Sequence, residues 1–157
     1  MRPRVYLETT IPSYLTSRPS RDLVITAHQQ ITREWWENKG GSFQLYISQL
    51  VIDEAGAGDP VAARARLNLI QNVPLLDITP EVSVLASAIL TSGRLPRNAA
   101  TDAAHIAIAA VHGMDFLITW NCVHIANAAI TKSLAFTCRE HGFECPVICT
   151  PEELLGA

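Results

Sequence analysis

The chain has 157 residues, of which 48% are apolar and 17% charged, with a formal net charge of −3. That balance excludes a disordered chain, and the pI near 5.9 argues against a protein that grips nucleic acid through a broad basic face. The length suits one domain over 1–157, large enough to bury a core without disulfide staples.

Pro3 and Glu8 interrupt the N-terminus, so no signal peptide is expected. No apolar run is long enough to span a bilayer, and the expectation is a soluble, cytoplasmic protein. Val5-Tyr6-Leu7 reads as a first strand, followed at once by Glu8. Thr9-Thr10-Ile11-Pro12 then begins a helical turn, and Ser17 to Arg21, with Pro19, is a loop. Asp22 to Asn38 reads as a helix with Asp22 as N-cap, Leu23, Ala27, Ile31 and Trp35 on one face, and Gly40-Gly41 at its end. The Trp35-Trp36 pair is assigned to core packing. Phe43 to Ile47 alternates as a second strand. Ser48 stands as N-cap of a short helix carrying Val51, Ile52, Asp53 and Glu54, closed by Gly56, Gly58 and Pro60. Val61 to Gln71 is a further helix whose Arg64 and Arg66 read as a solvated face.

Val73 to Ile78 is a third short strand, and Thr79-Pro80 opens a helix running to about Thr91. Ser92 to Pro96 is a loop. Asn98 to His112 is an Ala- and Ile-rich helix stopped by Gly113. Phe116 to Thr119 is a fourth strand. From Asn121 the chain reads as helical to His141, with a break near Asn127 and a stop at Gly142. Pro146 to Thr150 is a fifth strand, and Pro151 begins a last turn. Strands alternating with helices predict an α/β fold with a parallel sheet covered on both faces. Cys122, Cys138, Cys145 and Cys149 include no CxxC pair and match no common zinc spacing, so they are expected to be reduced, partly buried side chains.

Four polar positions share one structural logic. Glu8 follows strand one, Glu54 lies on the helix after strand two, Asp102 opens the Ala-rich helix, and Asn121 follows strand four. In a parallel sheet these positions converge at the carboxyl edge, where such sheets place ligands. Three carboxylates and an amide gathered without lysine or histidine between them repel one another. A hard divalent cation, Mg²⁺ or Mn²⁺, relieves that repulsion through oxygen ligands. Asn121 also reads as an N-cap of the following segment. His105, one turn beyond Asp102, reads either as orienting that carboxylate or as a satisfied buried imidazole. His124 reads as a packing or surface residue. The hydroxyls of Thr9, Thr10 and Thr119 read as caps or as groups that position water or phosphate. Arg18, Arg21, Arg94 and Arg97 flank the crevice in sequence, where they would meet phosphates or simply solvent.

The chain resembles the PIN domain family, and within it the VapC-like toxins of type II toxin–antitoxin pairs. The matching stretches are Val5 to Ile11, Ser48 to Glu54, Asp102 to Ala109 and Leu117 to Asn127, in this order over nearly the whole length. The resemblance implies a three-layer α/β/α fold with a five-stranded, mostly parallel sheet. It implies a metal-dependent endoribonuclease in which Glu8, Glu54, Asp102 and Asn121 hold Mg²⁺ or Mn²⁺. It also implies an RNA substrate, a homodimer and an antitoxin that covers the site. Two positions depart from the family pattern. Glu8 stands where Asp is usual, one methylene longer, and Asn121 stands where Asp is frequent, offering an amide oxygen without charge. A non-catalytic PIN-fold module that binds RNA or protein is the alternative. A phosphatase of another α/β family is disfavoured, because the residue after strand one is Glu8 and no lysine stands at the expected strand ends.

Overall fold

Val5, Tyr6 and Leu7 are successive, side chains on both faces of one strand, and all three are fully buried. A strand buried on both faces is the signature of a parallel sheet covered by helices. The structure, a computed structural model, describes residues 1–92 and 94–156. Its strand β1 (Arg4–Leu7) lies at the centre of a sheet ordered β3-β2-β1-β4-β5, with β2 (Gln44–Ser48), β3 (Leu75–Leu76), β4 (Phe116–Ile118) and β5 (Val147–Cys149). All four pairings are parallel, with Tyr6 beside Tyr46 on one side and Leu117 on the other. The sheet grows from β1 through β2 to β3 on one side, and the chain then returns to add β4 and β5 on the other. The boundary between β1 and β4 is therefore the topological switch point, the place where a crevice opens at the strands' carboxyl ends.

Helices fill the connections: α1 (Thr10–Thr16), α2 (Leu23–Asn38), α3 (Gln49–Ala55), α4 (Pro60–Ile70), α5 (Pro80–Thr91), α6 (Ala100–Val111) and α7 (Thr131–Glu140). The expected α/β class and element order are borne out, with the sheet parallel throughout rather than mostly. No helix among the described residues is long and apolar enough to cross a membrane. The expected stops hold for a visible reason. Gly113 and Gly142 adopt φ of 67° and 84°. Each closes a helix by paired bonds, Met114 N–H to the Ala109 carbonyl and Phe143 N–H to the Cys138 carbonyl, the Schellman arrangement that a left-handed residue permits. All four cysteines are free, and burial pushes the Cys149 thiol up to about 12.

Three local expectations change. The face of α2 that packs inward is Gln29, Thr32 and Trp35, while Leu23 is 86% exposed. The reason is a polar brace: the Gln29 amide donates to Ser17 Oγ and the Arg18 carbonyl and accepts from Ser20 N–H, tying the preceding loop to the helix. Residues 122–130 form turns and not a helix. There Asn121 Oδ1 accepts His124 N–H and Asn127 Oδ1 accepts Ala129 N–H, and such side-chain bonds compete with helical ones. Arg66 is not merely solvated, because its guanidinium donates to the Ala55 and Ala57 carbonyls at the end of α3. Gly93, within the expected 92–96 loop, lies outside the described residues.

Gly113 gives a direct check. A Cβ there would meet nothing closer than Arg4 Nη1 at 3.8 Å, so the cost of Gly113→Ala is that of the left-handed backbone alone. Urea unfolding should show a loss of about 1–2 kcal/mol with an unchanged denaturant slope.

Candidate functional site

β1 hands its last hydrogen bond to the site: Glu8 N–H donates to the Ile118 carbonyl at 3.1 Å, which fixes the residue at the β1–β4 boundary. Its carboxylate is buried. Oε1 accepts from Thr10 N–H at 3.1 Å, Thr10 Oγ1 at 2.5 Å and Thr119 Oγ1 at 2.7 Å. Oε2 accepts no hydrogen bond among the described residues. The threonines beside the strand ends thus act as donors to the acids, not as helix caps.

Glu54 approaches from α3. Its Oε1 accepts from Thr9 Oγ1 at 2.6 Å and from His105 Nε2 at 2.7 Å. His105 is fully buried, and its Nδ1 lies 2.6 Å from the Tyr6 hydroxyl, which lies 2.7 Å from Ser48 Oγ. An ionised Glu54 accepts only, so Nε2 must carry a proton. The simplest complete assignment then runs one way: Ser48 O–H to Tyr6, Tyr6 O–H to Nδ1, and Nε2–H to Glu54. Ser48 stands at the expected N-cap position of α3, but its hydroxyl is committed to this relay. Burial would raise the Glu54 carboxyl, but the hydrogen bonds from His105 and Thr9 outweigh it and hold the group below its ordinary value. Burial drives the Tyr6 phenol far up, and the Glu8 and Glu54 charges add to that. Tyr6 therefore stays protonated as a donor.

Asp102, in the first turn of α6, gives Oδ2 to His124 Nδ1 at 2.9 Å and Oδ1 to the Asn121 amide at 3.2 Å. Asn121 Oδ1 accepts His124 N–H at 3.0 Å. Both polar ends of the Asn121 side chain are thus engaged within the protein. The four expected residues fall into two neighbouring groups. Ligand atoms of Glu8, Glu54 and His105 all lie within 4.8 Å of one another, and Asp102 sits with Asn121 and His124. Thr119 joins the groups, donating to Glu8 and accepting from Asn121 N–H at 2.9 Å.

Among the described residues the only ion pairs these carboxylates make are with His105 and His124. Three acids face two imidazoles and no lysine or arginine. His105 is a poor metal ligand as it stands, because both ring nitrogens are already bonded. The groups suited to a cation are the carboxylates of Glu8 and Glu54, each with an Oε2 that accepts no hydrogen bond among the described residues. Neither of these oxygens is an unsatisfied buried atom cut off from solvent.

The sequence places Glu8, Glu54, Asp102 and Asn121 at one edge, and the reading of His105 as a satisfied buried imidazole is borne out, but three contacts are not legible in it. His105 serves Glu54 on another element, not Asp102 on its own helix. His124 is the Asp102 partner. Tyr6 is the link that makes a buried histidine affordable. A phenol in the middle of a fully buried strand was the one available signal. No family model matches the chain, and no curated protein matches it.

Two outcomes check this geometry. Tyr6→Phe leaves His105 Nδ1 and the Ser48 hydroxyl unpartnered in the core, so chemical unfolding should show a loss of about 1–3 kcal/mol. A carboxyl depressed in the folded state stabilises above its unfolded value, about 4.3, and that contribution fades as pH falls through the lower folded value. The stability of Glu54→Gln should therefore decline less steeply than wild type between about pH 5 and pH 3, as read from urea midpoints.

Proposed function

We propose that the chain is a metal-dependent endoribonuclease, hydrolysing RNA phosphodiester bonds at the crevice between β1 and β4. The observation that carries this reading is the pair of carboxylates, Glu8 and Glu54, gathered at the switch point without a lysine or arginine partner. Each keeps one oxygen free of protein hydrogen bonds among the described residues. Two such oxygens suit Mg²⁺ or Mn²⁺, with water and phosphate oxygens supplying the remaining ligands. A cation bound there stabilises the charge that builds on the phosphoryl group and acidifies the attacking water.

In this reading Glu8 and Glu54 hold the metal, and Asp102 adds the third negative charge across Thr119. Asn121 orients Asp102 through its amide. His105 holds Glu54 ionised and in place, since its Nε2–H is spent on that carboxylate. Thr9, Thr10 and Thr119 fix the rotamers of Glu54 and Glu8. The resemblance to VapC-like toxins extends the proposal to a toxin that pairs with an antitoxin and forms a homodimer. The exposed Leu23 and Val24 at the start of α2 are apolar surface of the kind such contacts cover. The alternative, a PIN-fold module without catalysis, is favoured by one fact: both Asp102 oxygens are occupied by protein donors.

Calorimetric titration with Mn²⁺, run beside a cleavage assay on unstructured RNA, separates the two. The nuclease reading expects wild type to bind Mn²⁺ and cut RNA. Glu8→Ala and Glu54→Ala should each lose detectable Mn²⁺ binding and reduce cleavage by at least about 100-fold. A wild type that neither binds Mn²⁺ nor cuts RNA would sink the nuclease reading and leave the binding module.

A further inference from the structure

Aromatic pairs in the core of this protein meet at an angle: Trp35 and Phe43 at 30°, Phe43 and Phe116 at 82°. Tilted and edge-to-face contacts are an ordinary choice for packed rings. The rings nearest the acids differ. His28 lies on Trp120 with centroids 3.9 Å apart and planes 11° apart. Tyr14 lies to the side of this pair in nearly the same orientation, 6.2 Å from Trp120 at 14° and 6.4 Å from His28 at 21°. Three near-parallel rings come from α1, α2 and the turn after β4, and all three are half-buried. Trp120 is held at both ends. Its backbone N–H donates to Thr10 Oγ1, the same hydroxyl that donates to Glu8. Its indole N–H donates to the buried Thr32 hydroxyl at 2.7 Å. The stack is thus pre-set, one hydrogen-bonded residue away from the Glu8 carboxylate.

We infer that the stacked His28–Trp120 pair, flanked by Tyr14, is a binding subsite for an unstacked base of single-stranded RNA, next to the phosphate presented to Glu8 and Glu54. Parallel rings fixed in advance offer a π face on which a base continues the stack, with little ordering cost on binding. A duplex base already has its stacking partners, so the subsite selects single strands. The loop joining the two ring-bearing helices supports this assignment. It is braced by Gln29 and carries Arg18 and Arg21, both exposed and neither ion-paired among the described residues. In a chain of net charge −3, overall charge does not attract RNA, and stacking beside two arginines supplies the affinity instead. The choice of RNA over DNA rests on the ribonuclease reading above; the stacking geometry does not.

The test is anisotropy of a labelled, unstructured oligoribonucleotide with the full chain in EDTA, where no cleavage occurs. Tyr14→Leu and His28→Leu should each weaken binding roughly 5- to 100-fold. Tyr14→Phe should recover most of the affinity, and Phe136→Ser, removing an exposed ring on α7, should change nothing. Wild-type indole emission should be quenched on binding, and Trp120→Phe should lose that quenching while Trp35 and Trp36 still emit. Circular dichroism identifies any variant that fails to fold, in which case the quenching of wild type decides. Unchanged affinity in folded Tyr14→Leu and His28→Leu, preference for duplex over single strand, or no RNA binding by wild type would each overturn the subsite. A wild type that binds through the stack but neither takes up Mn²⁺ nor cuts RNA would instead retire the nuclease reading and leave the subsite standing.

Discussion

A carboxylate buried between two parallel strands is the constraint on which the rest of this site depends. Glu8 leaves β1 where the sheet changes its direction of growth, and the residue is 5% exposed. An ionised group in that position loses several kcal/mol of hydration, on the order estimated for buried ions after relaxation. Three hydrogen bonds to one oxygen, each worth roughly 1.5–3 kcal/mol when the acceptor is charged, offset a loss of that size. Two of the donors come from Thr10 and one from Thr119, so the turn after β1 and the end of β4 are both specified by the acid they serve. Thr10 Oγ1 also receives Trp120 N–H, and Thr119 Oγ1 receives Asn121 N–H. The loop after β4 is in this way built outward from Glu8.

The second acid is stabilised by a different device. Glu54 sits at the surface end of a chain that runs through His105 and Tyr6 to Ser48, three residues with no solvent exposure. In a low-dielectric interior such a chain is favourable only when every donor finds an acceptor. Here the polarity runs in one direction, and the ionised carboxylate at its end sets that direction. The relay also ties three elements together: β1 through Tyr6, β2 through Ser48 and α6 through His105. Core packing and the ionisation of Glu54 are consequently one problem, solved by one set of side chains.

Around these two acids the crevice divides by chemistry. Asp102, Asn121 and His124 form a second polar group on the α6 side, joined to the first by the Thr119 hydroxyl. The aromatic rings lie on the α1–α2 side. Acids and near-parallel rings side by side motivate both the proposed activity and the proposed subsite.

The sequence by itself determined the α/β class, the order of strands and helices, the Gly113 and Gly142 stops and the arrival of Glu8, Glu54 and Asp102 at one sheet edge. These follow from local rules: hydrophobic period, capping chemistry and the backbone freedom of glycine at positive φ. Tertiary structure decided which side chains meet. His105 faces Glu54, 51 positions away, in preference to Asp102 three positions away. His124 pairs with Asp102 because 122–130 turn instead of continuing as a helix. Gln29 and Thr32, not Leu23, face inward on α2, since the surface they pack against is a polar loop and the Trp120 indole. Trp120 stacks on His28, with Tyr14 alongside, across three elements. Hydrogen-bond partners and ring contacts depend on distances between segments that the chain's local pattern does not encode, and only the packing of helices on the sheet fixes them.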